Sequence, residues 1–148
     1  FPKSKNLIES YYHEVCKKNS VLHSWIWHDY ERILSQINPE IYEFEPNDKI
    51  KNRQGLPNSP FMELHYINNN FFMEDNEILN QSSIIKNIPG IIVQGRYDLI
   101  CPPINAFQLS KQWNSSKLTI VNTAGHSSSD SGIIENMLSG LSNLTREI

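Results

Sequence analysis

The chain has 148 residues, 39% of them hydrophobic and 20% charged, with a formal net charge of −3; that balance belongs to a globular domain rather than a disordered tail. No basic stripe interleaves with aromatic residues, so the electrostatic footprint of a nucleic-acid binder is missing and no nucleic-acid partner is expected. The longest apolar run, around Ile91 to Val93, is strand-sized and far short of the roughly 20 residues that cross a bilayer, which argues against a membrane protein.

Leu7, Ile8, Tyr11, Tyr12 and Val15 recur at helical spacing. Val21 through Ile37 reads as a second amphipathic helix, ended by Asn38-Pro39. Both are expected on the surface, packed on one face. Glu43 to Pro60 is rich in Pro, Asn, Asp, Lys and Gly without a sustained apolar period, which predicts a loop. Phe61 to Tyr66 resumes a helical pattern, the triplet Asn68-Asn69-Asn70 interrupts it, and Phe71 to Ile85 can form another short helix. No internal repeat is present.

The character changes near Ile88-Pro89-Gly90, and a boundary is placed there, dividing residues 1–87 from 88–148. Gly90 to Gly95 is a short β-branched run flanked by glycines, as expected of a parallel strand buried on both faces. Pro103 to Trp113 fits a helix with proline at its start, Lys117 to Val121 a second strand, and Gly132 to Leu144 a closing helix. This β-α-β-α order implies an α/β fold with a parallel sheet, a right-handed crossover and covering helices. Two such strands do not make a stable sheet alone, so further strands are expected from another part of the same protein.

Functional groups of open parallel sheets gather at the carboxyl ends of the strands. Gly95-Arg96-Tyr97-Asp98 follows the first strand, and Thr123-Ala124-Gly125-His126 follows the second. An acid after one strand and a histidine after the next is the spacing by which an α/β-hydrolase joins the last two members of its triad. The imidazole accepts a serine's proton, and the carboxylate fixes its tautomer and stabilises the imidazolium. Asp98 and His126 are therefore the candidate catalytic residues. Gly95 would let the chain turn off its strand, and Gly125 would let the histidine loop approach without a Cβ clash. The plain alternative for each residue alone is a turn cap for Asp98 and a surface loop residue for His126.

The run from Ile88 to Pro102, with its I-P-x-x-x-V-x-G-R-Y-D-x-x-C-P pattern, closely resembles the proline iminopeptidase family. Ala106 to Trp113 is similar to the family's A-x-x-L-x-x-x-W helix, and Ala124-Gly125-His126-Ser127 resembles its S-G-H-S motif. Upstream, Trp27 to Glu31 is similar to a W-x-x-W-E stretch of the helical cap, and Met62 to Tyr66 with Phe71-Phe72 resembles I-E-N-H-Y-F followed by G-G-F-F. The resemblance implies a mainly helical cap over residues 1–87, then the C-terminal end of an α/β-hydrolase catalytic domain over 88–148.

The family releases N-terminal proline from peptides without a metal, so the resemblance implies a peptide substrate and no cofactor. Cap glutamates are thought to hold the free amine, a charge-assisted contact that favours exopeptidase binding. Glu63 stands at one matching position; at the other Met73 occupies the place and Glu74 follows one residue later. The bland reading of Glu63 is a solvated helix glutamate. No G-x-S-x-G elbow and no H-G-G-P-G segment occurs in the chain, and Ser127 to Ser129 follow the histidine in the wrong order to serve as nucleophile. The chain alone is thus expected to be inactive, with the serine supplied by the missing N-terminal half of the same protein.

Two rival readings differ in class. A metal enzyme is suggested by five histidines, yet His23 and His28 are five apart and Cys16 lacks a Cys-x-x-Cys partner, so no metal is expected. A non-catalytic α/β-hydrolase-like binding protein, or a hydrolase of another amide or ester, would keep the same strands. Only Cys16 and Cys101 are present, which points to a reducing, cytoplasmic setting. Asn80-Gln81-Ser82, Asn114-Ser115-Ser116 and Asn143-Leu144-Thr145 fit the glycosylation pattern, as triplets in an Asn-rich chain do by chance. The opening Phe1-Pro2-Lys3-Ser4 has neither an initiator Met nor a signal core, so any address would lie upstream.

Overall fold

The computed structural model describes residues 6–18, 20–37 and 47–147. These fall into two compact units, one within residues 6–32 and 47–75, the other within 33–37 and 76–147. The packing division thus falls earlier in the chain than the change of composition at Pro89-Gly90. No helix among the described residues is long and apolar enough to cross a membrane.

The first unit is helical. Helix α1 (Leu7–Val15) starts where the Asn6 side chain accepts the Glu9 N–H at 3.2 Å, relieving one of the unpaired donors of the first turn. Helix α2 (Val21–Ser35) stops two residues short of the predicted Ile37, and the Asn38-Pro39 stop signal lies outside the described residues. Helix α3 (Asn47–Lys51) corrects the loop expected across Glu43 to Pro60. Its single turn is anchored by Ile50, which is fully buried; one apolar residue creates no period to read. Helix α4 (Ser59–Asn68) begins with a proline in its first turn and packs on α1. Tyr11, Val15, Trp27 and Leu64 form the core here, with the Tyr11 and Trp27 rings 5.6 Å apart.

The predicted helix from Phe71 to Ile85 is replaced by three short pieces. Asn70, Phe71 and Phe72 all have positive φ, 48° to 55°, so the chain winds left-handed for three residues, and Asn76 repeats this at 60°. Asparagine tolerates that region; phenylalanine does so at a cost. A right-handed helix can restart only beyond these residues, as α5 (Glu77–Gln81), followed by a 3-10 turn over Ser82–Ile85.

In the second unit β1 (Gly90–Gly95) and β2 (Ser116–Val121) pair in parallel, in register from Gly90 opposite Ser116 to Gly95 opposite Val121. Helix α6 (Pro103–Gln112) crosses between them and packs on both strands; α7 (Ile133–Glu147) packs on β1. The architecture is α/β, as the β-α-β-α pattern predicts. Burial is less complete than expected: Ile91, Ile92 and Val93 are only partly covered, because the sheet among the described residues has two strands. Ile134, Met137, Leu138 and Leu141, at helical spacing on α7, form an exposed apolar stripe.

Candidate active site

The register that sets Gly95 opposite Val121 brings the loops after β1 and β2 to the same end of the sheet. Backbone hydrogen bonds then tie one loop to the other: Arg96 N–H donates to Val121 O at 2.9 Å and Tyr97 N–H to Ala124 O at 3.0 Å. A Cβ on Gly95 would collide with the Gly125 carbonyl oxygen and lie 2.6 Å from that of Ala124. The requirement for glycine here is close approach of two backbones.

Asp98 lies at the turn this creates and is almost wholly buried. Its Oδ1 accepts the Ile100 N–H at 3.0 Å and the Cys101 N–H at 2.7 Å. Its Oδ2 lies 3.0 Å from His126 Nδ1, the contact expected of a paired acid and base. The His126 side chain is 42% exposed and that of Asp98 only 6%, so the pair presents an imidazole backed by a sheltered carboxylate. A neutral imidazole whose Nδ1–H donates to Asp98 keeps its Nε2 lone pair as an acceptor.

The histidine loop has its own supports. Gly125 N–H donates to Asp130 Oδ2 at 2.6 Å, and the N–H groups of His126 and Ser127 both donate to Ser35 O, at 2.9 and 2.7 Å. A Cβ on Gly125 would press on that same Ser35 oxygen at 3.1 Å. Ser127 and Ser129 hydrogen-bond each other through their hydroxyls at 2.7 Å. Asp98 caps its turn through Oδ1, as the plain alternative expects, and its Oδ2 faces His126. Partial burial, and then the Asp98 carboxylate, push the Cys101 thiol up, favouring its neutral form.

The first unit holds a second titratable group. Glu63 on α4 accepts the indole N–H of Trp27 at 2.8 Å. Glu31, one helical turn beyond Trp27 on α2, is pushed up to about 8 by desolvation first, then by its hydrogen bond to Glu63 and by that residue's charge. The two carboxyls are therefore disposed to hold one proton between them. Glu31 is absent from the residues singled out by sequence alone, although it closes the W-x-x-W-E stretch; nothing in composition shows that α2 and α4 meet there. Glu74, by contrast, is exposed in the segment after Asn70–Phe72. Asp29, also unforeseen, is buried and held by both terminal nitrogens of Arg53 at 3.0 and 3.2 Å. No group of three or more His, Cys, Asp or Glu that could hold a metal occurs among the described residues.

No family model matches the chain. It is 31% identical over 139 residues to a probable proline iminopeptidase of Leptolyngbya boryana, covering 90% of this chain and 42% of that protein. A proline iminopeptidase of Arabidopsis thaliana is 33% identical over 72% of the chain and 28% of its own length. One of Xylella fastidiosa is 48% identical over 45% of the chain and 21% of its own. The chain thus spans less than half the length of the curated relatives it matches. With this similarity running through both compact units, the chain belongs to the proline iminopeptidase family.

Proposed function

We propose that the chain is the acid and histidine end of an α/β-hydrolase that works as a serine exopeptidase, releasing N-terminal proline from peptides. The observation that carries this reading is the 3.0 Å hydrogen bond between His126 Nδ1 and the buried Asp98 carboxylate, at one end of two parallel strands. On this reading residues 1–87 are a helical cap and 88–148 the end of the catalytic domain. The serine and the oxyanion donors belong to the rest of the protein, so the chain alone is inactive. The stripe on α7 and the partly covered strands are in keeping with further hydrolase structure packing there. The two free cysteines, Cys16 and Cys101, fit a cytoplasmic setting.

In the reaction, His126 Nε2 takes the serine proton as Oγ bonds to the prolyl carbonyl carbon. Asp98 stabilises the imidazolium that results. The tetrahedral intermediate collapses as its C–N bond breaks, and His126 passes the proton to the departing amine. Water then repeats the sequence on the acyl-enzyme, its proton going first to Nε2 and finally to the serine. Recognition of the substrate's cationic amine is assigned to Glu63, with Glu31 as the carboxyl beside it, and to Glu74 as a further carboxylate. A carboxylate pair sharing one proton gains a full charge when a cation replaces that proton.

The test is turnover of prolyl and alanyl amides by the full-length protein. We expect preference for the prolyl amide, and a loss of about 10³-fold or more in His126→Ala, as for removal of a triad base. Unchanged turnover in that variant would contradict the role.

A further inference from the structure

Gln94 is the last side chain of β1 before Gly95 and lies opposite Ile120 in the register. It is buried, 9% exposed, where an apolar side chain would cost nothing to desolvate. A buried carboxamide costs about 1–3 kcal/mol unless its groups find partners. Its Nε2, with two hydrogens to share, has three acceptors in reach, each at 3.1 Å: Gly95 O, Cys101 O and Asp98 Oδ2. Gly95 and Cys101 flank the loop that carries Asp98, so one amide nitrogen both straps that loop closed and reaches the carboxylate it holds.

The placement matters for how the acid is aimed. The two backbone N–H groups on Oδ1 resist rotation about the Cβ–Cγ bond from one side of the Asp98 carboxylate only. A donor on Oδ2 that is itself held in the strand resists it from the other side, where the half-exposed imidazole is a less rigid partner. Oδ2 then receives Gln94 on one side and His126 Nδ1 on another. We infer that Gln94 is a positioning residue for the Asp98–His126 pair, fixing the plane of the carboxylate and so the direction in which the imidazole points. This rests on the hydrolase reading for its catalytic meaning, though not for its geometry. A glutamate at this position would match the length but set a second carboxylate against Asp98, and an asparagine would fall a methylene short.

The full-length protein with Gln94→Met, matched in volume but lacking the donor, tests it. We expect kcat to fall by up to about 10²-fold, the order seen when a reacting group is misplaced by an ångström, with KM within about twofold because no substrate contact is lost. The proton NMR resonance of His126 Nδ1–H should move or broaden. Gln94→Glu serves where Gln94→Met fails to fold: its kcat relative to the unaltered protein should recover as pH falls, because a protonated carboxyl again donates to Oδ2. Unaltered kcat with an unmoved resonance overturns the inference, as does a loss of activity that leaves the resonance in place. Absence of prolyl amide turnover in the unaltered protein would instead defeat the hydrolase reading, and the resonance would still decide the role of Gln94.

Discussion

The two compact units place their ionisable groups by different means. In the strand-bearing unit Asp98 and His126 are delivered by backbone: parallel register, two loops tied by main-chain hydrogen bonds, and a glycine that lets those loops touch. In the helical unit Glu31 and Glu63 meet because α2 and α4 pack over an aromatic core, and the proton they share depends on how much water that packing excludes. Placement set by topology depends on few side chains, Gln94 among them, whereas placement set by packing moves with every neighbour.

The sharpest way to break the first arrangement is Asp98→Asn, which keeps the shape and removes the charge. In the full-length protein we expect kcat to fall by about 10³ to 10⁴-fold, the order found when a triad acid becomes an amide. A loss below tenfold in steady-state kinetics would show that backbone placement alone does not make the pair a catalytic unit. Gly95→Ala attacks the same region through its backbone. The added methyl group must push the Gly125 and Ala124 carbonyls away, and overpacking of this kind costs about 1–3 kcal/mol. A lowered denaturation midpoint is expected, and an unchanged one would mean that the loops do not approach so closely.

The helical unit should respond more gently, and to pH. Glu31 is raised in the folded chain from 4.5 to about 8, so between these values the folded state binds more protons than the unfolded one, and stability falls as pH rises through that window. Below it both states are protonated and the advantage of the folded form is fully present. Glu31→Gln keeps a donor for Glu63 and cannot ionise. Denaturation followed between pH 5 and pH 9 should lose stability in the unaltered protein and run flatter in Glu31→Gln; equal slopes would contradict the shared proton.

The same contrast explains what could be read from sequence. The strands, their order and the Asp98 and His126 positions were legible because periodicity and glycine spacing are local signals that topology preserves. Glu63 was legible only through a resemblance, and Glu31 not at all as a partner, since no local pattern records which faces of α2 and α4 meet. Helix α3 leaves no periodic signal because a single buried residue, Ile50, holds it. The break at Asn70–Phe72 was visible in the asparagine triplet, but left-handed φ in two phenylalanines opposes their preference and has to come from tertiary packing. No local pattern sets Gln94 apart from the other strand residues, because what distinguishes it is an amide that meets three oxygens from the following loop.

The central claim is that Asp98 and His126 act as one catalytic unit, and a double-mutant cycle on the full-length protein measures this most directly. If they do, Asp98→Asn in a His126→Ala background should cost almost nothing further in kcat/KM, as for groups that work together. Two losses that multiply independently would show that the hydrogen bond joins them without joining their function.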